Sequence, residues 1–443
     1  MNRFLPALVL TLACAPRYPV GPVPVDEAAK PVTLVELPDS SSPNVYLQAT
    51  VHAGSAWDPT GKEGLAHLVA NSLVDAGAGD RSAPEVREAL YITGNDMQVV
   101  VGREMVSLRL RCHIDHQALC AEVFLDTLTQ PRFDTADVER LREDAHYRVS
   151  EGLLGDTEAM GEEAFNALIW SAHPYGHPVQ GLAGSLETLD ADDVRGFYAE
   201  HYLRGTVTVG LAGNWQPETS QSLTVGLERL SGTLPPELPL LQPEPLEGRT
   251  LMAVDTDTAV TGVHFGHPIR LGRDDADYPA LVVAMTALGA HRQSFGRLFR
   301  TLRTTRGLNY GTYAYVEPYV QRGWSSMPQQ GVWRRQSHFY VWIRPTSLEN
   351  GPFALRLALA EVDRLIDDGL ESEEFEDTRS YLQGWIPLLA QDPGQRLAFE
   401  LEARATGMPN FLDLVQHLPN LDRAEVNAAS PDTSRPVIWP SSL

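Results

Sequence analysis

Two stretches of this chain, 237 positions apart, repeat one pattern. Ala118-Leu119 through Thr127-Leu128, followed by Phe133-Asp134-Thr135-Ala136-Asp137-Val138, matches Leu355 through Arg364-Leu365, followed by Leu370-Glu371-Ser372-Glu373-Glu374-Phe375. A supersecondary unit that recurs at a fixed offset is the mark of a tandem duplication, so the chain folds as two related domains. Pro217, Pro235, Pro236, Pro239, Pro243 and Pro245 gather between Gln216 and Arg249 and mark the connector. The expected organisation is a first domain over 41–215, a linker over 216–249 and a second domain over 250–443.

Each half mixes two hydrophobic periods. Val45, Leu47, Ala49 and Val51 alternate with Tyr46, Gln48 and Thr50, which predicts a half-buried strand. Leu65, Leu68, Val69, Ser72 and Leu73 follow helical spacing until Gly77 and Gly79 stop it. Ser82-Ala83-Pro84-Glu85 is a capping box, and Met97–Val101 with Met105–Cys112 predicts a hairpin turning at Gly102-Arg103. Helices over 117–128, 135–153 and 158–170 precede a strand over 207–211. The second half runs in the same order: a strand near Gly262–Gly266, a helix over Tyr278–Leu288, strands around Tyr313 and over Phe339–Ile343, then helices. The fold class is α+β.

Charge and termini narrow the partners. With 58 acidic and 35 basic residues the formal charge is -23, which repels phosphate backbones and argues against nucleic acid or an anionic membrane surface. Met1-Asn2-Arg3-Phe4 followed by the apolar Leu5–Ala13 has the layout of an export signal, too short to span a bilayer. Leu10-Thr11-Leu12-Ala13-Cys14 resembles a lipobox, so a signal peptide over 1–14 is expected, with Cys14 acylated and an outer-membrane-anchored periplasmic lipoprotein as the product. Thr11 stands where an aliphatic residue is usual, which keeps plain secretion as the alternative. Residues 15–40, rich in proline, are expected to form an extended tether. Cys112 and Cys120 are expected to be two separate buried thiols, with a disulfide as the alternative.

Gly54-Ser55 and Gly64-Leu65-Ala66-His67 opening a helix, His173-Pro174-Tyr175-Gly176-His177-Pro178 through Gly181, Phe197-Tyr198 and Tyr202, Leu288-Gly289, and Leu302-Arg303-Thr304-Thr305-Arg306-Gly307-Leu308-Asn309-Tyr310 together resemble the pitrilysin/insulinase-type metallopeptidases, the inverzincins. That family includes mitochondrial processing peptidase. The resemblance runs from about Val45 to about Phe411 and implies two tandem homologous domains, each a mostly antiparallel sheet packed with helices. The family motif H-x-x-E-H places two imidazoles on one helical face for zinc and a glutamate between them to take a proton from water. Here the helix reads His67-Leu68-Val69-Ala70-Asn71. Ala70 replaces the base and Asn71 the second ligand, and an amide is a poor zinc donor beside imidazole. The third ligand, a glutamate, is missing from Tyr147-Arg148-Val149. Glu143, His146 or Glu151 as substitute ligands would still lack a base, and His173 and His177 are separated by residues that prevent a shared helical face.

The second half keeps what the first has lost. The resemblance implies that Arg303 and Tyr310, seven residues apart, bind substrate where an oxyanion develops. The combination implies a non-catalytic, substrate-binding subunit that pairs with a zinc-bearing homologous peptidase chain and lends it Arg303 and Tyr310. Zinc is then expected in the partner and no cofactor in this chain. The alternatives are an active zinc endopeptidase with a rewired site and a structural or binding scaffold without a peptidase role.

Overall fold

The alternating segment forms strand β2 (Asn44–Val51), yet Val45 through Val51 are all buried, not only the apolar half. Burial on both faces is the main departure from the expected half-buried strand, and its cause is the other half of the chain. The computed structural model describes residues 32–429 apart from 95, 233–237, 239–240, 242–249, 270, 291–292, 318 and 323–324. The expected signal segment, Cys14 and most of the expected tether lie outside the described residues, as does much of the connector.

The first half builds a five-stranded sheet in the order β1-β5-β2-β4-β3, from β1 (Thr33–Pro38), β2, β3 (Gln98–Val101), β4 (Val106–His113) and β5 (Val207–Gly213). Only β1 runs parallel to its neighbour; β2–β5, β2–β4 and β3–β4 are antiparallel. Thr33–Pro38 therefore belongs to the sheet, not to a tether reaching residue 40. The expected hairpin forms, with Val101 paired to Val106. In the second half β6 (Val260–Ile269), β10 (Ser337–Ser347) and β7 (Thr312–Tyr315) form a three-stranded antiparallel sheet, order β6-β10-β7, and β8 (Tyr319–Arg322) pairs with β9 (Ser325–Pro328).

The repeat seen in the sequence is a repeat of helices. Gln117–Thr129 and Thr135–Tyr147 correspond to Gly351–Asp368 and Ser372–Leu389. At the same offset, Ala121 and Ala358, Leu128 and Leu365, and Val138 and Phe375 are buried pairwise. Each half has its own core, one centred on the Leu65–Asp75 helix and one on the Tyr278–Gly289 helix. The latter is apolar all round, and Ala280 through Gly289 are buried on every side. The helix Pro217–Leu227 belongs to the first half, so the connector starts later than residue 216.

The halves clasp each other reciprocally. The helix Pro393–Thr406 of the second half lies over the first sheet, with Leu397 and Leu401 packed on Tyr46 and Ala212. Gly210 permits this approach, since a Cβ there would sit 2.6 Å from Leu397 Cδ1. Buried Gln48 donates to the Gly394 carbonyl at 2.8 Å, which satisfies a polar side chain placed in the interface. In return the helix Thr157–Ile169 of the first half lies on the second sheet, burying Phe165 and Ile169 against Tyr313, Tyr315 and Tyr340. Arg344 adds a bidentate pair to Glu158 at 2.8 and 3.0 Å.

Candidate functional site

The helix Leu65–Asp75 that would carry a metal site begins at Gly64, whose φ is 103°. A Cβ at Gly64 would meet the Gln180 carbonyl and Gly181 Cα at 2.8 Å, so glycine is required there on two grounds. The Asp58 carboxyl accepts the Gly64 and Ala66 N–H groups, both at 2.7 Å, and so satisfies donors at the open helix end. Its side chain is wholly buried, and that burial pushes its pKa up to about 8 against the opposing pull of the two N–H groups.

On this helix the lost motif is also structurally closed. Ala70 is fully buried in the core, leaving no side chain at the base position. Asn71 folds back on His67: its Nδ2 donates to the His67 carbonyl at 2.7 Å and lies 3.3 and 3.4 Å from the two ring nitrogens. Burial lowers the His67 pKa to about 4, and the positive charge of Arg148 acts in the same direction. Arg148 is one of the residues expected at the third-ligand position, so a cation stands where a carboxylate would have attracted zinc. The helix Thr135–Tyr147 opens there into a wide turn over Arg148–Gly152, with Tyr147 exposed and Val149 packed on the core.

The substitute ligands do not gather at His67. Glu143 lies 3.7 Å from Arg142, His146 Nε2 lies 3.3 Å from Glu187, and Glu151 is exposed. Among the described residues no group of three or more His, Cys, Asp or Glu could hold a metal ion. The residues present do not fit zinc. His173 and His177 sit in a turn, where the His173 Nδ1 accepts the Tyr175 N–H at 3.1 Å and the His177 Nδ1 lies 3.0 Å from the Pro178 carbonyl.

The second-half pair is brought together. Arg303 ends the helical turn Phe299–Thr304, and Gly307, at φ 60°, reverses the chain. Gly307 N–H donates to the Arg303 carbonyl at 2.8 Å and Leu308 N–H to the Leu302 carbonyl at 3.0 Å, while buried Leu302 anchors the loop to the core. Asn309 donates to Gly311 O at 2.7 Å and Thr312 Oγ1 at 2.9 Å, which ties the loop to the start of β7. These restraints hold the Arg303 guanidinium between two rings, 4.8 Å from the Phe299 centroid and 4.3 Å from that of Tyr310, with a 2.9 Å bond to the Tyr310 carbonyl. Tyr310 is 54% exposed, and no carboxylate among the described residues pairs with Arg303. A cation that no described carboxylate pairs and a phenol are thus presented side by side at the surface.

Two groups escaped the sequence reading. Arg103 and Glu104, placed by the sequence at a hairpin turn, are 6% and 2% exposed because the second half covers that turn. Glu104 accepts from Arg335 Nε at 3.0 Å, from the Arg335 backbone N–H and from the Tyr175 hydroxyl, and Arg103 pairs with Glu163 at 3.3 Å and donates to the His177 carbonyl. The only signal was two charges beside Gly102, which reads equally well as a solvated turn. Cys112 and Cys120, expected as separate thiols, are joined by a disulfide that ties β4 to the Gln117–Thr129 helix. The short turn over Ile114–His116 brings their Cα atoms to 6.5 Å, within bridging range.

Comparison with known proteins places the fold in one family. Residues 34–181 match the family described as "Insulinase (Peptidase family M16)", and residues 188–382 match "Peptidase M16 inactive domain". An uncharacterized zinc protease of Streptomyces coelicolor is 27% identical over 360 residues, covering 77% of this chain and 72% of its own. A protein of Helicobacter pylori named as a non-peptidase homolog is 21% identical over 410 residues, covering 91% and 89%. The crystal structure of a peptidase M16 inactive domain from Pseudomonas fluorescens superposes with a TM-score of 0.78 at 19% identity, covering 90% of this chain and 92% of that one.

Proposed function

The chain belongs to the insulinase family of peptidases as a non-catalytic member, and from that premise we propose that it is the substrate-binding subunit of a two-chain peptidase. A homologous chain with an intact H-x-x-E-H helix is its partner, and peptides are the substrate. The observation that carries this reading is the Arg303–Tyr310 pair: both members persist, held by their own loop, on a chain whose first-half site has lost its base, its second ligand and its third. In the assembled pair Arg303 supplies positive charge and Tyr310 a hydroxyl donor to a substrate carbonyl whose oxygen gains charge. The zinc-bearing partner supplies the activated water. The Met1–Cys14 pattern supports export and an outer-membrane lipid anchor at Cys14, and acyl labelling lost in Cys14→Ser tests that part separately.

The test of the main reading is co-purification with the homologue that carries H-x-x-E-H, followed by peptide hydrolysis by the pair. Loss of one oxyanion donor typically costs about 10²–10³ in kcat. Arg303→Ala combined with Tyr310→Phe is expected to reduce turnover by at least that factor while the pair still assembles. An assembled pair whose turnover is unchanged by the double substitution contradicts the lending role and leaves a scaffold. Stoichiometric zinc in this chain alone, lost on His67→Ala, contradicts the non-catalytic assignment and favours a rewired peptidase.

A further inference from the structure

The crossing that carries the lost motif has a counterpart in the second half. The Leu65–Asp75 helix packs on Thr135–Tyr147 and on β3, and the Tyr278–Gly289 helix packs on Ser372–Leu389 and on β7. At the 237 offset Asp144, Ala145 and Arg148 correspond to Tyr381, Leu382 and Trp385. The first half closes this crossing, with Asn71 folded back on His67. In the second half it holds a cavity of about 40 Å³ that opens to solvent. Its lining includes five aromatic side chains, Tyr278, Tyr315, Tyr381, Trp385 and Phe411, and the carboxylate of Glu317. Tyr278, Tyr315 and Phe411 are buried, while Tyr381 and Trp385 are half-buried. Trp385 lies nearly parallel to Tyr381, with centroids 6.0 Å and planes 12° apart, and at 81° to Phe411. Aromatic rings thus wall the cavity in two orientations.

The charge beside these rings leans negative. Arg273 donates to both oxygens of Glu317 at 2.7 and 2.8 Å, and the Tyr278 hydroxyl donates to the same carboxylate at 2.8 Å. A second carboxylate, that of buried Glu402, lies 2.8 Å from Arg273. Among the described residues one guanidinium thus serves two carboxylates in this cluster. Phe411 already takes part in a cation–π contact, with the Arg273 guanidinium 5.6 Å from its centroid. Ring faces backed by negative charge attract a cation that carries apolar groups and sheds its water easily. A bare metal ion does not match, because it demands several oxygen ligands and this wall is chiefly carbon. The volume has room for about three waters, which is the bulk of an ammonium head bearing methyl groups.

We propose that this cavity binds the methylated ammonium head of a small amine of the choline type, free or as a lipid headgroup. Trp385 and Tyr381 flank the head, Tyr278, Tyr315 and Phe411 complete the cage, and the Glu317 and Glu402 carboxylates supply the attracting charge. The site is separate from Arg303 and Tyr310 and does not depend on the role proposed for them.

Isothermal titration of the full chain with choline chloride, against sodium chloride at equal ionic strength, tests the proposal. Binding at a single site is expected. The neutral carbon analogue, in which a tert-butyl group replaces the trimethylammonium, is expected to bind at least about tenfold more weakly. Trp385→Leu keeps apolar bulk beside the cavity but removes the ring, and should weaken choline binding about three- to thirtyfold. If the urea midpoint of that variant falls, Tyr381→Leu takes its place and the same loss is required. Phosphatidylcholine vesicles that retain wild type but not the variant identify a lipid source, and choline binding without vesicle retention identifies a free solute. The proposal is overturned if choline does not bind at about 10 mM. Equal affinity for the neutral analogue also overturns it and leaves an apolar crevice, as does choline affinity unchanged in both variants.

Discussion

Replacing His67 with Gln isolates one consequence of the closed site. In the unfolded chain a histidine binds its proton near pH 6.5, whereas burial beside Arg148 lowers the folded value of His67 to about 4. Between these values the unfolded state holds more protons, so His67 contributes no penalty above pH 6.5 and removes stability as the pH falls toward 4. With that window, protonation of the unfolded chain at pH 5 costs about 2 kcal/mol, and somewhat less because His67 is not wholly enclosed. Urea denaturation of wild type and His67→Gln at pH 7 and pH 5 reads the effect as a difference of differences, which cancels the other buried histidines. The variant should lose about 2 kcal/mol less than wild type across that interval. Equal losses in the two proteins would refute the assignment of His67 as a buried neutral residue. A midpoint at pH 7 that rises with added zinc in wild type alone would refute it from the other side, because a ligand that binds only the folded state stabilises it.

Three further outcomes follow from the packing. Glu104→Ala leaves the buried Tyr175 hydroxyl without its acceptor and removes the carboxylate from a partly exposed Arg335, and is expected to destabilise by about 1–3 kcal/mol in chemical denaturation, as an unsatisfied buried donor does. Phe165→Ala removes a ring wedged between the halves, with a Tyr340 centroid distance of 5.0 Å, and should cost about 3–5 kcal/mol; calorimetry should then show loosening of the second half as well as the first. Cys120→Ala opens a short covalent loop and should lower stability by about 2–3 kcal/mol, read as a lower urea midpoint under oxidising conditions with no change after reduction.

Much of the architecture was legible because hydrophobic periodicity is local. The helix spacing of Leu65, Leu68, Val69 and Leu73, the hairpin over 97–112 and the repeated helices at the 237 offset all appear where expected. The site was legible where it depended on residue type alone: no fold supplies a base from Ala70 or a carboxylate from Arg148. The Gly307 reversal that brings Arg303 under Tyr310 also has a local cause, a positive φ that only glycine adopts cheaply. Arg103 and Glu104 show the other case. Their charges suit a solvated hairpin turn, and nothing within ten residues reports that Arg335, far along the chain, will cover them.

Residue periodicity and the internal repeat therefore indicate a duplicated α+β chain, and the family resemblance adds a zinc helix without its chemistry and a candidate arginine–tyrosine pair. Tertiary packing decided the rest. β2 alternates like a half-exposed strand yet is buried on both faces, because Leu397 and Leu401 arrive from the other half. Cys112 and Cys120 are bonded because one tight turn brings them together. His67 is driven neutral by burial, with the charge of Arg148 from beyond its own helix adding to it. Local sequence sets which face of an element is apolar, but what covers the opposite face, and which charges meet there, depends on contacts between residues hundreds of positions apart.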